Sequence, residues 1–124
     1  MTFPNFLIIG AAKSGTTTLY NSIKQHPKIY LSPLKEPHFF SHGLSGNTKI
    51  AVERYGNFQS PITDAKTYEA LFDNVSSETA IGEASTSYLI HPEAAERIHQ
   101  HIPDVKMIAI LRNPIDRAYS AFLM

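Results

Sequence analysis

The stretch Gly10-Ala-Ala-Lys-Ser-Gly-Thr-Thr-Thr18 constrains this chain more than any other segment. It follows the apolar run Phe6-Leu-Ile-Ile9, bounded by Pro4 and Gly10, which predicts a strand buried on both faces of a parallel sheet. After it, Leu19 and Ile23 repeat at helical spacing with Tyr20 beside them and Pro27 closing the segment, so a helix is expected over residues 16–25. Strand, glycine-rich turn and helix in this order make a phosphate-binding unit. Gly10 and Gly15 let backbone N–H groups converge on an anion, the positive end of the helix favours it, and Ser14, Thr16, Thr17 and Thr18 add hydroxyl donors. Nucleoside triphosphatases place a lysine after the second glycine and a magnesium-binding Ser or Thr after that. Here Thr16 stands at the lysine position, and Lys13 lies within the loop, where an ammonium suits a leaving oxygen better than metal-assisted triphosphate chemistry. A plain glycine turn with solvated threonines is the competing reading, and the flanking elements argue against it.

The remaining pattern alternates strands with helices. Ile29-Tyr-Leu31 reads as a short strand, and residues 32–60, punctuated by Pro33, Pro37, Gly43, Gly46 and Gly56, as a long irregular connection with one helical turn near Val52. Asp64 is placed to cap a helix through Tyr68, Leu71 and Phe72, and Ala80-Ile-Gly-Glu83 reads as a strand. Pro92 opens a helix with Ala94, Ala95, Ile98 and Ile102 on one face, ended by Pro103. Met107-Ile-Ala-Ile-Leu111 predicts a buried strand, and Pro114 opens a last helix with Ile115, Ala118, Tyr119 and Phe122 on its apolar side. The expected fold is α/β, a three-layer sandwich with a parallel sheet, of the P-loop nucleoside triphosphate hydrolase type. With 124 residues, 43% of them apolar, residues 1–124 are expected to form one domain, cut off where Met124 falls inside an apolar helical pattern.

Charge and cysteine content narrow the chemistry. Eleven basic and eleven acidic side chains cancel, so nothing attracts nucleic acid globally and any anion site must be local. The absence of cysteine removes thiolate metal sites and cysteine nucleophiles. The first residues carry no basic leader and their apolar run stops far short of a membrane span, so a soluble, cytoplasmic protein without membrane or nucleic-acid partners is expected.

A second segment, Arg112-Asn-Pro-Ile-Asp-Arg-Ala-Tyr-Ser120, puts an arginine at the carboxyl end of a strand and a serine on the next helix. Ligands of parallel α/β sheets sit at such strand ends, where Arg112 can fork onto a phosphate while Ser120 and the helix N-terminus complete the cradle. Taken alone, this segment reads more readily as a capped strand-to-helix junction.

In order and type, the two segments together resemble the sulfotransferase family that uses 3′-phosphoadenosine 5′-phosphosulfate, especially its heparan-sulfate-like and bacterial branch. Lys35-Glu-Pro-His-Phe-Phe40 and Gly82-Glu-Ala-Ser-Thr-Ser-Tyr88 extend the resemblance across nearly the whole chain. It implies that Lys13, Thr16, Thr17 and Thr18 meet the 5′-phosphosulfate, that Arg112 and Ser120 meet the 3′-phosphate, and that Glu36 stands at the general base. Ala84 departs from the glycosaminoglycan enzymes, which commonly carry lysine there. The family domain also continues well past residue 124.

Sulfuryl transfer needs in-line attack by an acceptor hydroxyl or amine, a base for its proton, and donors for the leaving phosphate. Lys13 suits the leaving oxygen, and Glu36 or His38 the base, with Glu36 preferred by the resemblance. The expected acceptor class includes glycans and small molecules. No metal is required, and His38 with His42 lacks an obvious third ligand. His91, His99 and His101 read as solvated or capping residues. Glu83 reads as a cap, an ion-pair partner or an acceptor-facing group, and Tyr88 and Tyr119 as packing residues with partnered hydroxyls. Two rivals stand beside this reading: a nucleotide kinase or triphosphatase, and a non-catalytic nucleotide-binding remnant.

Overall fold

Residues 2–41 and 62–123 are described in a computed structural model of the protein. The helical turn expected near Val52, together with His42, Gly43, Gly46 and Gly56, lies outside them.

Strand β1 (Phe6–Gly10) leads through the glycine-rich loop into helix α1 (Thr16–Ile23), followed by β2 (Ile29–Leu31). Helix α2 (Ala65–Ala70) starts where sequence places it, because the Asp64 carboxylate accepts from Thr67 N and satisfies one of the free amides of the first turn. Strand β3 (Ala80–Ala84) runs into a single helical turn, α3 (Ser87–Ile90), which sequence periodicity missed because four residues are too few to show a period. Helix α4 (Pro92–His101), β4 (Lys106–Ala109) and α5 (Pro114–Phe122) complete the order, with proline in the first turn of α4 and of α5.

The strands form one parallel sheet in the order β2-β3-β1-β4. Alternation along β1 sends its side chains to two cores. Leu7 joins Phe39, Phe40, Tyr68, Phe72, Tyr88, Ala94 and Ile98 on one face, whereas Phe6 and Ile8 join Tyr20, Leu31 and Ala84 on the other. Helices therefore cover both faces, α1 on one side and α2 with α4 on the other, as the three-layer expectation required. Burying Leu7 and Ile8 completely contributes about 2 kcal/mol each by removal of apolar area from water. Gly82 is packed so closely that a Cβ there would lie 2.4 Å from the Phe6 ring.

Two expectations are corrected. The strand at 107–111 was expected to be buried, but all four residues of β4 are exposed, Met107 by 47% and Ile108 by 37%. Among the described residues β4 pairs only with β1 and forms the sheet edge, so half of its surroundings are open. The apolar side of α5 likewise faces outward, with Ile115, Tyr119 and Phe122 all more than half exposed. Tyr119 is therefore not the packing residue that its type suggests.

Candidate active site

The loop leaves β1 at the centre of the sheet, at the carboxyl ends of the strands, where parallel α/β folds place ligands. Three of its residues have left-handed or otherwise positive φ: Gly10 at 151°, Lys13 at 61° and Gly15 at 93°. Gly10 is doubly required, because a Cβ there would also lie 2.9 Å from Leu89 Cβ and 3.3 Å from the Thr86 carbonyl. A Cβ at Gly15 would meet nothing within 4 Å, so that position faces open space. Gly15 is also the N-cap of α1, and it supplies no side-chain cap, which leaves the first amides of the helix to an incoming acceptor. Ser14 and Thr16 are buried, Thr17 and Thr18 exposed, and Lys13 half-buried.

The two segments singled out by sequence meet here. Arg112 Nη1 donates to the Lys13 carbonyl at 3.1 Å, and Arg117 Nε donates to the Ala12 carbonyl at 3.0 Å. Both arginines follow β4 in the chain and hydrogen-bond to the loop backbone, and Arg117 was not among the residues that sequence singled out. The signal for it lay in the same segment, one helical turn past Asn113, which is placed to turn a side chain back toward the neighbouring loop. Ser120 is half-buried on α5. The start of α5 is partly taken, since Asn113 Oδ1 accepts from Ile115 N at 2.9 Å.

Glu36 and His38 sit on the opposite side of the loop. Both have positive φ, 59° and 54°, which aims them away from a regular strand path. Glu36 N donates to the Ala84 carbonyl, which ties this segment to the end of β3. Its Oε2 accepts from Thr86 N at 2.9 Å and Thr86 Oγ1 at 3.2 Å. Because the Thr86 carbonyl also abuts Gly10, one residue joins the carboxylate to the loop. Burial raises the Glu36 pKa, while the Thr86 amide and hydroxyl and the Lys35 ammonium pull it back. Lys35 Nζ donates to Thr17 Oγ1 and lies over the Tyr20 ring, linking the same segment to α1. His38 Nε2 stands 3.6 Å from Glu36 Oε2, and its Nδ1 is 2.6 Å from Ser87 Oγ.

Beneath this layer, Glu83 is completely buried and its Oε2 accepts from Tyr68 and Tyr88 hydroxyls at 2.8 Å each. Burial pushes its pKa up to about 7, against the opposing pull of the Ser85, Tyr68 and Tyr88 hydroxyls. Glu83 is thus neither a helix cap nor a surface ion-pair partner. Tyr88 also accepts from Phe40 N, so the carboxyl supports the strand end and the 36–41 segment together. Among the described residues, no three His, Cys, Asp or Glu side chains are grouped to hold a metal ion, and no helix is long and apolar enough to cross a membrane.

A glycine-rich loop at the carboxyl end of a parallel sheet, with a half-buried carboxylate and an imidazole tied to the neighbouring strand end, defines an α/β protein of the P-loop type. The chain belongs to the sulfotransferase family, whose model matches residues 4–124. It is 31% identical over 119 residues to the membrane-associated sulfotransferase kil1 of Dictyostelium discoideum, across 96% of this chain and 22% of that protein. It is 32% identical to human heparan sulfate glucosamine 3-O-sulfotransferase 6, across 97% of this chain and 30% of that one. A crystal structure of a sulfotransferase from Alicyclobacillus acidocaldarius superimposes with a TM-score of 0.83 at 41% identity, over 99% of this chain and 50% of that chain. The chain thus spans less than a third of these two curated relatives and half of the solved structure.

Proposed function

We propose that this chain holds 3′-phosphoadenosine 5′-phosphosulfate and supports transfer of its sulfuryl group to a hydroxyl or amine of a carbohydrate acceptor. The observation that carries this reading is the Thr86 bridge, which sets the Glu36 carboxylate beside a loop shaped to receive an anion. The uncapped amides at the start of α1 and the hydroxyls of Thr16, Thr17 and Thr18 suit the 5′-phosphosulfate, with Lys13 for the leaving oxygen. Arg112 and Ser120 suit the 3′-phosphate, and Arg112 has further guanidinium N–H groups besides the one on Lys13. Burial makes Glu36 a stronger base than a solvated carboxylate, fit to take the acceptor proton as the oxygen or nitrogen attacks sulfur. A carbohydrate acceptor is supported by relatives named for carbohydrate and heparan sulfate sulfotransfer. The donor supplies an activated sulfuryl group, and no step assigned to these residues calls on a metal.

Calorimetric titration with 3′-phosphoadenosine 5′-phosphate, beside ATP with magnesium, tests the reading in the wild type and in Lys13→Ala. Saturable binding of the bisphosphate that weakens in the variant supports it. Preference for ATP with magnesium overturns it in favour of a nucleotide kinase, and a folded chain that binds neither nucleotide removes the donor site from residues 1–124.

A further inference from the structure

Residues 36–40 meet the end of β3 through every second amide. Glu36 N donates to the Ala84 carbonyl at 2.8 Å, as one strand does to its neighbour. β3 ends there and α3 begins at Ser87, so a regular ladder does not continue. Side-chain hydroxyls take over the accepting role. His38 N donates to Ser85 Oγ at 3.1 Å, and Phe40 N to the Tyr88 hydroxyl at 3.3 Å. The Tyr88 hydroxyl in turn donates to Glu83 Oε2 at 2.8 Å, and the same oxygen accepts from Tyr68 at 2.8 Å. The Tyr68 ring stacks on Phe39 with centroids 4.3 Å apart and meets Phe40 edge-on at 5.5 Å. One completely buried carboxyl therefore fixes both phenols around which Phe39 and Phe40 pack.

We infer that Glu83 is a positioning residue for the Glu36 carboxylate, acting through Tyr88 and Tyr68 to hold residues 36–40 in a backbone conformation that they would otherwise leave. This rests on the proposed sulfuryl transfer, in which Glu36 takes the acceptor proton. Glu36 and His38 sit at φ of 59° and 54°, left-handed conformations that are costly for residues bearing a Cβ. Such a pair persists only where its surroundings over-determine it. Here the surroundings are the three amide bonds, the packed aromatic rings, and Arg97 of α4, whose Nη1 donates to the Phe40 and Ser41 carbonyls at 3.2 and 2.8 Å. Removing the acceptor shared by two buried phenols leaves both hydroxyls unsatisfied and frees Tyr88 to turn away from Phe40 N. The segment then relaxes toward negative φ. With it the Glu36 carboxylate leaves the Thr86 amide and hydroxyl that set it beside the loop. Glu83 itself passes no proton and needs only to accept.

Nuclear magnetic resonance of the 15N-labelled chain tests this through intraresidue amide-to-Hα cross-peaks, which are strong where φ is positive. The wild type is expected to show them at Glu36 and His38. Glu83→Leu is expected to lose both while the amides of β1 and β4 keep their shifts, and Glu83→Gln, which retains an acceptor for the phenols, to keep them. Should Glu83→Leu not fold, Tyr88→Phe removes the acceptor of Phe40 N and is expected to lose the same peaks. Carboxyl 13C titration adds a second reading. Where the peaks are lost, the Glu36 pKa is expected to fall toward its ordinary value, because release from burial removes what raises it. A wild type without the peaks, a Glu83→Leu or Tyr88→Phe chain that keeps them, or a Glu83→Gln chain that loses them overturns the inference. Titration of the same samples with 3′-phosphoadenosine 5′-phosphate separates the two ideas. Undiminished binding without the peaks supports a role confined to the 36–40 segment, whereas binding lost together with them marks a general defect and overturns it. A wild type with the peaks and without binding sinks the donor site and leaves the hold on the segment standing.

Discussion

Thr86 grips Glu36 twice, through its amide and its hydroxyl, and both bonds end on the same carboxylate oxygen. A Cβ at Gly10 would lie 3.3 Å from the Thr86 carbonyl, so the residue that holds the carboxylate also lines the start of the glycine-rich loop.

Replacing Thr86 with valine keeps the shape and the amide but removes the hydroxyl. The lost bond favoured the ionised carboxylate, so the Glu36 pKa rises further above its ordinary value. The expected stability deficit is about 1 kcal/mol, largest where Glu36 is ionised and vanishing as it protonates. Carboxyl 13C titration reads the shift, and an unchanged or lowered pKa contradicts the assigned role.

Glu83 makes folding sensitive to pH in a specific window. Its pKa rises from 4.5 to about 7 on folding, so between these values the native state holds a proton that the unfolded state has released. Stability contributed by this group is complete below 4.5 and is lost as pH rises toward 7, by roughly 3 kcal/mol. Glu83→Gln keeps an acceptor for the two tyrosines but does not titrate. Chemical denaturation at both ends of the window is expected to show a smaller difference in the variant than in the wild type.

Arg117 reaches the loop through one bond from Nε to the Ala12 carbonyl. Removing it in Arg117→Ala costs little folding stability, since the residue is half-exposed, but it loosens the loop that must be ordered to bind. Affinity for 3′-phosphoadenosine 5′-phosphate is expected to fall about tenfold, the equivalent of one hydrogen bond, with the melting temperature nearly unchanged. Equal affinity in the variant would remove the bracing role.

The two loop glycines should differ when each is replaced by alanine. At Gly10 the new Cβ meets Leu89 at 2.9 Å and also inherits a positive φ, whereas at Gly15 only the φ of 93° is unfavourable. Gly10→Ala is expected to cost about 3 kcal/mol and Gly15→Ala about 1 kcal/mol. Thermal unfolding of the two variants checks the order, and a Gly15→Ala chain less stable than Gly10→Ala contradicts it.

Much of the fold was legible in local pattern. Apolar runs located β1 to β4, Asp64, Pro92 and Pro114 marked helix starts, and the glycine-rich turn after β1 predicted the loop at the sheet's carboxyl edge. These features depend on residues within a few positions of one another, so a sequence records them directly. Sheet order is different. Whether Met107-Ile-Ala-Ile-Leu111 is central or at an edge depends on which strands flank it, and a buried-strand composition reads the same in both places.

The candidate site divides along the same line. Its residue types were determined by sequence alone: two glycines, a loop lysine, three threonines, a carboxylate and an imidazole within three residues of each other, and an arginine after a strand. Only the tertiary structure decided their partners. Arg112 meets Lys13 across ninety-nine positions, Thr86 meets Glu36 across fifty, and Ser87 meets His38 across forty-nine. Hydrogen bonds act over about 3 Å of space whatever the separation along the chain, so the fold, by bringing β1, β3 and β4 side by side, chose which donor faced which acceptor.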